Sequence, residues 1–206
     1  MMYWNNEELQ KPSENQTNIY LVLVNKQKKI PGNREEKIEL VETRNAFNKI
    51  IKIEKETLEM FNKLREDLLN ENIDIQLENA YRSISKQEEL YNEMEEKYWP
   101  EYAKKYVAPT GYSEHHTWFA LDICINKNWK IICENHDMIV ECEIFEKVHK
   151  KLANYWFILR YPEWKEDITG YEYEAWHLRY IWDTNIAKEI TENWITLEEY
   201  WDKLNK

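Results

Sequence analysis

Apolar residues recur along this chain in two rhythms. Ile19 to Val24 is a continuous apolar run that predicts a short strand, ended by Asn25-Lys26 and the Pro31-Gly32 turn. Between Asn45 and Asn70, residues Phe47, Ile50, Ile51, Ile53, Leu58, Phe61, Leu64 and Leu68 return at roughly helical spacing and predict one helix. Ile73-Asp74-Ile75-Gln76-Leu77 alternates and predicts a strand leading into Tyr81-Arg82-Ser83. Ser85 followed by Glu88 reads as a capping box opening a helix that ends near Pro100, with Leu90, Met94 and Tyr98 on its inner face. A loop through Pro109-Thr110-Gly111 then leads to Ser113 and His115, and Phe119 to Ile125 reads as the next strand. Phe145 to Tyr155 predicts a helix, Phe157 to Leu159 a strand, Tyr173 to Ile181 a strand, and the segments around Ile186 and from Leu197 two closing helices.

Such an order predicts an α+β fold, with helices packed on one small antiparallel sheet and a site in a cleft on that sheet. Residues 1–16 are polar and read as a disordered tail, leaving 17–206 as a single domain. No internal repeat or linker-like stretch divides it, and nothing in the pattern calls for a partner chain, so a monomer is expected.

Charge narrows the function. At 206 residues and a formal net charge of -11, the chain lacks the clustered Lys and Arg that nucleic acid or an anionic membrane surface requires. It also lacks an apolar run of about eighteen residues, so no transmembrane segment is expected. Met1 to Asn18 is too polar for a secretory signal, which implies a cytoplasmic protein as written, or a cell-envelope protein if the N-terminus is incomplete. Cys124, Cys133 and Cys142 are odd in number and without metal-site spacing, so buried free thiols are expected rather than a disulfide or a sulfur ligand.

Two segments carry the candidate chemistry: Ser113-Glu114-His115-His116-Thr117-Trp118-Phe119-Ala120-Leu121-Asp122, and Glu174-Ala175-Trp176-His177. Catalytic zinc takes three N/O protein ligands and keeps one position for water, so His115, Asp122 and His177 form a complete set and leave Glu174 as the base. Both pairs are separated by odd intervals, which would split them across an ideal strand. His115 must therefore sit in the loop before its strand, and a bulge or twist must re-aim Glu174 or His177.

These segments resemble the zinc-dependent D-Ala-D-Ala carboxypeptidases of the VanY type and their L,D-carboxypeptidase relatives. That family carries Ser-x-His-x-x-Gly-x-Ala-x-Asp, then Glu-Pro-Trp-His, and upstream Tyr-Arg-Ser followed by Gln. The matches are Ser113, His115, Ala120 and Asp122; Glu174, Trp176 and His177; and Tyr81, Arg82, Ser83 and Gln87. The likeness extends from about Tyr20 to the C-terminus. It implies Zn2+ on His115, Asp122 and His177, with Glu174 and Arg82 catalytic and Ser113, Tyr81, Gln87 and Trp176 at the substrate. The implied substrate is a peptidoglycan stem peptide or muropeptide that loses its terminal D-alanine, through either a D,D or an L,D bond. Plainer readings stand beside these: an ion pair for Arg82, a turn for Ser113, core packing for Tyr81 and Trp176, and solvation for His116, His136 and His149. Ala175 replaces the family Pro, and Ala80 the common Gly before Tyr81.

Glycine and tryptophan are out of balance, with 3 Gly and 10 Trp where average usage gives roughly fourteen Gly. Trp118, Trp156, Trp164, Trp182 and Trp194 fall where the resembled family has Gly, with Trp99 a sixth candidate, whereas Trp176 matches a family Trp. One explanation is a gene in which UGA encodes glycine and has been read as tryptophan. A genuine Trp118 between two ligands would instead suit a non-catalytic peptidoglycan-binding module that has kept the fold and lost turnover.

Overall fold

β-branched residues decide the first departure from the sequence pattern. In the computed structural model, which describes residues 19–32, 38–100, 106–133 and 140–205, Ile50, Ile51 and Ile53 lie in a strand and not in the helix expected from Asn45. Strands β1 (Leu40–Arg44) and β2 (Ile50–Glu54) pair antiparallel, with Leu40 opposite Glu54 and Arg44 opposite Ile50. The Asn45 side chain closes their turn by accepting from the Phe47 and Lys49 amides at 3.0 Å each. Helix α1 (Lys55–Leu69) starts only after Glu54, whose carboxylate accepts from the amides of Glu56 at 3.0 Å and Thr57 at 2.7 Å and so caps the orphan donors. Phe61, Leu64 and Leu68 on its buried face reach the core.

The main sheet is antiparallel throughout. Its order is β3 (Asp74–Asn79), β4 (Ala120–Lys127), β7 (His177–Tyr180), β6 (Phe157–Leu159), with β5 (Lys130–Ile132) also paired to β4. Alternation gives one face Ile75, Leu77, Leu121, Ile123, Ile125, Leu178 and Tyr180, which share a core with Phe61, Leu64 and Leu68 of α1. The opposite face is left to Asp122, His177 and Arg179. Helix α2 (Ile84–Lys97) buries only Gln87, and its N-cap is Ser83, which accepts from the Lys86 amide at 3.1 Å, in place of the expected Ser85 box. Helices α3 (Cys142–Leu152), α4 (Glu166–Thr169), α5 (Thr184–Glu192) and α6 (Leu197–Leu204) complete the α+β arrangement.

Three further expectations are corrected. Ile19–Val24 is not a strand, because its carbonyls are engaged by arginine side chains described below. Strand β7 begins only at His177, since Glu174-Ala175-Trp176 forms the turn that precedes it. Cys124 and Cys133 form a disulfide across the β4–β5 hairpin, Cα to Cα 4.9 Å, because the register brings the residue after β5 back beside β4; the remaining thiol, Cys142, is exposed. The predicted tail, 1–16, lies outside the described residues, among which no helix is long and apolar enough to cross a membrane.

Candidate active site

Strand register brings two of the candidate ligands together. Asp122 of β4 is the direct cross-strand partner of His177 of β7, and on its other side it faces Asn79 where the β3–β4 ladder slips at a bulge. His177 Nδ1 lies 3.0 Å from Asp122 Oδ1. The third candidate comes from outside the sheet, as parity required. His115 sits in a 3-10 turn (Glu114–Thr117) capped by Ser113, whose Oγ accepts from the His115 amide at 3.3 Å. Its Nε2 lies 3.1 Å from Asp122 Oδ2.

One donor atom from each of His115, Asp122 and His177 lies within 4.8 Å of the others, and each Asp122 oxygen faces one imidazole nitrogen. Two imidazoles and a carboxylate converging on one point are a donor set that fits a divalent zinc-like ion. The outward nitrogens are also addressed. His115 Nδ1 lies 2.7 Å from the Ala80 carbonyl, which fixes the tautomer that leaves Nε2 free to ligate. His177 Nε2 faces Glu114 Oε2 at 3.7 Å, and neither atom has a hydrogen-bond partner.

Glu174 stands beside this group. Its Oε2 is 3.6 Å from His177 Nδ1, and the turn is closed by the His177 amide donating to the Glu174 carbonyl at 3.3 Å. A turn, not the expected bulge, thus resolves the parity of Glu174 and His177. Burial, with the charge of Asp122 added, pushes the Glu174 carboxyl up to about 7 against the pull of His177, Lys26 and Arg82. Burial would lower the His177 imidazole, but the carboxylates of Asp122 and Glu114 outweigh it and raise it to about 9. Burial lowers His115. Asp122 would be raised by burial, yet the two imidazoles hold it well below the usual carboxylate range.

The remaining candidates are placed unequally. Arg82 Nη1 donates to Gln87 Oε1 at 2.9 Å, and Gln87 Nε2 donates to the Ala108 carbonyl at 2.7 Å, so the fully buried Gln87 holds Arg82. Arg82 is coupled to the charges of Asp122 and Glu174. Tyr81 stacks on Trp118, ring centroids 5.6 Å apart. Trp176 is buried in the main core. His116 is a correction: it is buried and not solvated, with Nδ1 2.7 Å from the Arg82 carbonyl and Nε2 accepting from the Gly111 amide at 3.3 Å, so it ties the Arg82 and His115 segments together. His149 is likewise engaged, Nε2 to the Ala175 carbonyl at 2.9 Å, while His136 lies outside the described residues.

Sequence reasoning missed Glu114. Its Oε1 accepts from Arg160 Nε at 2.7 Å and Arg179 Nη1 at 2.8 Å, all three side chains being fully buried. Arg160 continues to Glu198 at 2.6 Å, and Arg179 Nη2 donates to the carbonyls of Tyr20 at 2.7 Å and Val22 at 2.9 Å. Burial would raise the Glu114 carboxyl, but the two guanidiniums hold it far below its ordinary value. The available signal was a Glu inside the His motif together with Arg160 and Arg179 in otherwise apolar strand segments.

The chain is similar to known carboxypeptidases. The VanY family profile, D-alanyl-D-alanine carboxypeptidase, matches residues 50–183. The Bacillus subtilis protein YodJ is 35% identical over 197 residues, 94% of this chain and 70% of that one. The LdcB LD-carboxypeptidase structure superposes with a TM-score of 0.78 at 36% identity, covering 92% of this chain and 88% of that chain. The structure of VanYB in complex with D-alanine-D-alanine gives 0.74 at 26% identity, covering 89% and 97%. With the family profile spanning most of the chain, this protein belongs to the VanY D-alanyl-D-alanine carboxypeptidase family.

Proposed function

We propose that this peptidase is a zinc carboxypeptidase that removes the terminal D-alanine from peptidoglycan stem peptides. The observation that carries the reading is the convergence of His115, Asp122 and His177, one donor atom each within 4.8 Å of the others, with Glu174 alongside. His115 through Nε2, His177 through Nδ1 and Asp122 through its carboxylate would hold the ion. Zinc supplies Lewis acidity there, lowering the pKa of a water to about 7 and polarising the scissile carbonyl.

The chain's own residues do the rest. Glu174, raised to about 7, accepts the water's proton near neutrality and returns it to the leaving amine. Arg82, held by Gln87, offers a planar fork to the substrate carboxylate or to the developing oxyanion. Ser113 caps the His115 turn and so helps hold that candidate ligand in place beside the substrate. The Cys124–Cys133 disulfide supports work in an oxidising compartment, where the stem peptides are.

Purified protein is loaded with zinc and incubated with pentapeptide and tetrapeptide stems, and released alanine is measured. D-alanine from the pentapeptide means D,D cleavage, and from the tetrapeptide L,D cleavage. Release from neither, with zinc bound, rejects the carboxypeptidase reading.

A further inference from the structure

Among the described residues, the non-glycine positions with positive φ are of two kinds only. Three are Asn, at 48, 72 and 128, the residue that tolerates the left-handed region best after glycine. The other six are Trp: Trp118 (φ 68), Trp129 (65), Trp156 (65), Trp164 (63), Trp182 (64) and Trp194 (52). For a bulky aromatic this backbone is strained, and nothing about an indole selects it. Trp99, Trp176 and Trp201 do not have it.

Local context marks four of these as glycine positions. Asn128-Trp129 is the two-residue turn between β4 and β5, where Lys127 pairs with Lys130 and both central residues have positive φ; Asn-Gly is the preferred sequence for that turn. Trp194 follows the last residue of α5 and its cap. Its amide donates to Thr191 O at 3.3 Å while the Ile195 amide donates to Ile190 O at 3.1 Å, the helix-ending pattern whose left-handed residue is usually Gly. Trp118 and Trp156 end 3-10 turns in the left-handed conformation. Trp129 and Trp164 are 97% and 84% exposed, so their indoles gain no packing in return. Trp118 is buried with its Nε1 unpartnered, filling the space against Tyr81.

We infer that these six tryptophans are glycines in the protein its own cell makes, encoded by UGA, and that the lineage reads UGA as glycine. The criterion is conformational. It adds Trp129 to the five positions expected from sequence and leaves Trp99 out. A consequence for the site follows at position 118, where loss of the indole opens the face of Tyr81 beside the ligand turn; that consequence alone rests on the proposed peptidase reading.

The nucleotide sequence tests the inference directly. UGA is expected at 118, 129, 156, 164, 182 and 194 and UGG at 176; UGG at any of the six, or tryptophan in peptides from the source cell's protein at these sites, overturns it. Strain is read separately on the Trp form. Trp129→Gly and Trp164→Gly should each raise the melting temperature by roughly 2 to 8 °C, with Asn giving part of the gain and Ala little. Equal effects of Gly and Ala would overturn the strain argument. Trp118→Gly should raise kcat/KM on stem peptides without loss of zinc; if it does not, with the codon result standing, the peptidase reading of that space fails and the glycine assignment does not.

Discussion

Asp122 lies directly opposite His177 in the β4–β7 ladder, so the backbone register alone sets their side chains 3.0 Å apart. A pair of candidate ligands built on adjacent strands is held more rigidly than one on loops, and only His115 must be brought in from outside the sheet.

Zinc binding is expected to expel a proton. In the metal-free protein His177 is raised to about 9 and is therefore charged at pH 7, whereas His115 is lowered and Asp122 ionised. The sign is fixed: the folded value exceeds 6.5, so this charge stabilises the metal-free fold fully below pH 6.5, and the benefit is lost as pH rises through about 9. Zinc uptake at pH 7 should release about one proton, and affinity should climb with pH until about 9. Titration calorimetry in buffers of different ionisation enthalpy measures this, and no release at pH 7 would remove His177 from the ligand set.

Glu174→Ala should retain zinc and lose turnover by about a hundredfold or more, because the ligands remain and the base does not. Metal content and kcat, measured on the same preparation, separate the two. Comparable loss of zinc would mean that base and ligand have been exchanged.

Arg82→Lys keeps the charge and discards the fork. Turnover should fall by roughly tenfold or more with zinc unaffected. Gln87→Ala should reproduce part of that loss, since Gln87 touches Arg82 and not the ligands. Unchanged kinetics in both would retire Arg82 from the site.

Glu114→Gln leaves Arg160 and Arg179 without their shared anion in a buried setting, a loss of about 3 to 5 kcal/mol by urea unfolding. Because Glu114 also faces His177 Nε2, zinc affinity should weaken by about 10- to 100-fold. A stability loss with zinc affinity intact would make Glu114 purely structural.

Reduction of Cys124–Cys133 should cost roughly 2 to 3 kcal/mol, the chain entropy of a loop this short. Equal stability with and without reductant would remove the bridge from the account of the fold.

Much of this was legible in residue patterns. The alternation at Ile73–Leu77 and the helical spacing of Phe61, Leu64 and Leu68 survive because local preference and burial agree there. The β1–β2 hairpin was hidden because Ile50, Ile51 and Ile53 satisfy both rhythms, and only the Asn45 turn and the Glu54 cap distinguish strand from helix. For the site, the two motif segments supplied the candidate ligands and parity put His115 in a loop. What no pattern carried was pairing across distance: Glu114 with Arg160 and Arg179, and Cys124 with Cys133; Gln87, which could either orient Arg82 or face solvent, proves to hold Arg82.

The buried strut beneath the ligands has a mechanical meaning. From Glu114 it passes through Arg179 to the carbonyls of Tyr20 and Val22, and through Arg160 to Glu198 of α6, which also accepts from Asn25 at 3.1 Å. Segments from opposite ends of the described chain are thus knotted to the residue beside His115. Neither α6 nor the Tyr20–Asn25 stretch can be trimmed as decoration, because pulling on either one moves the anvil on which the metal would rest.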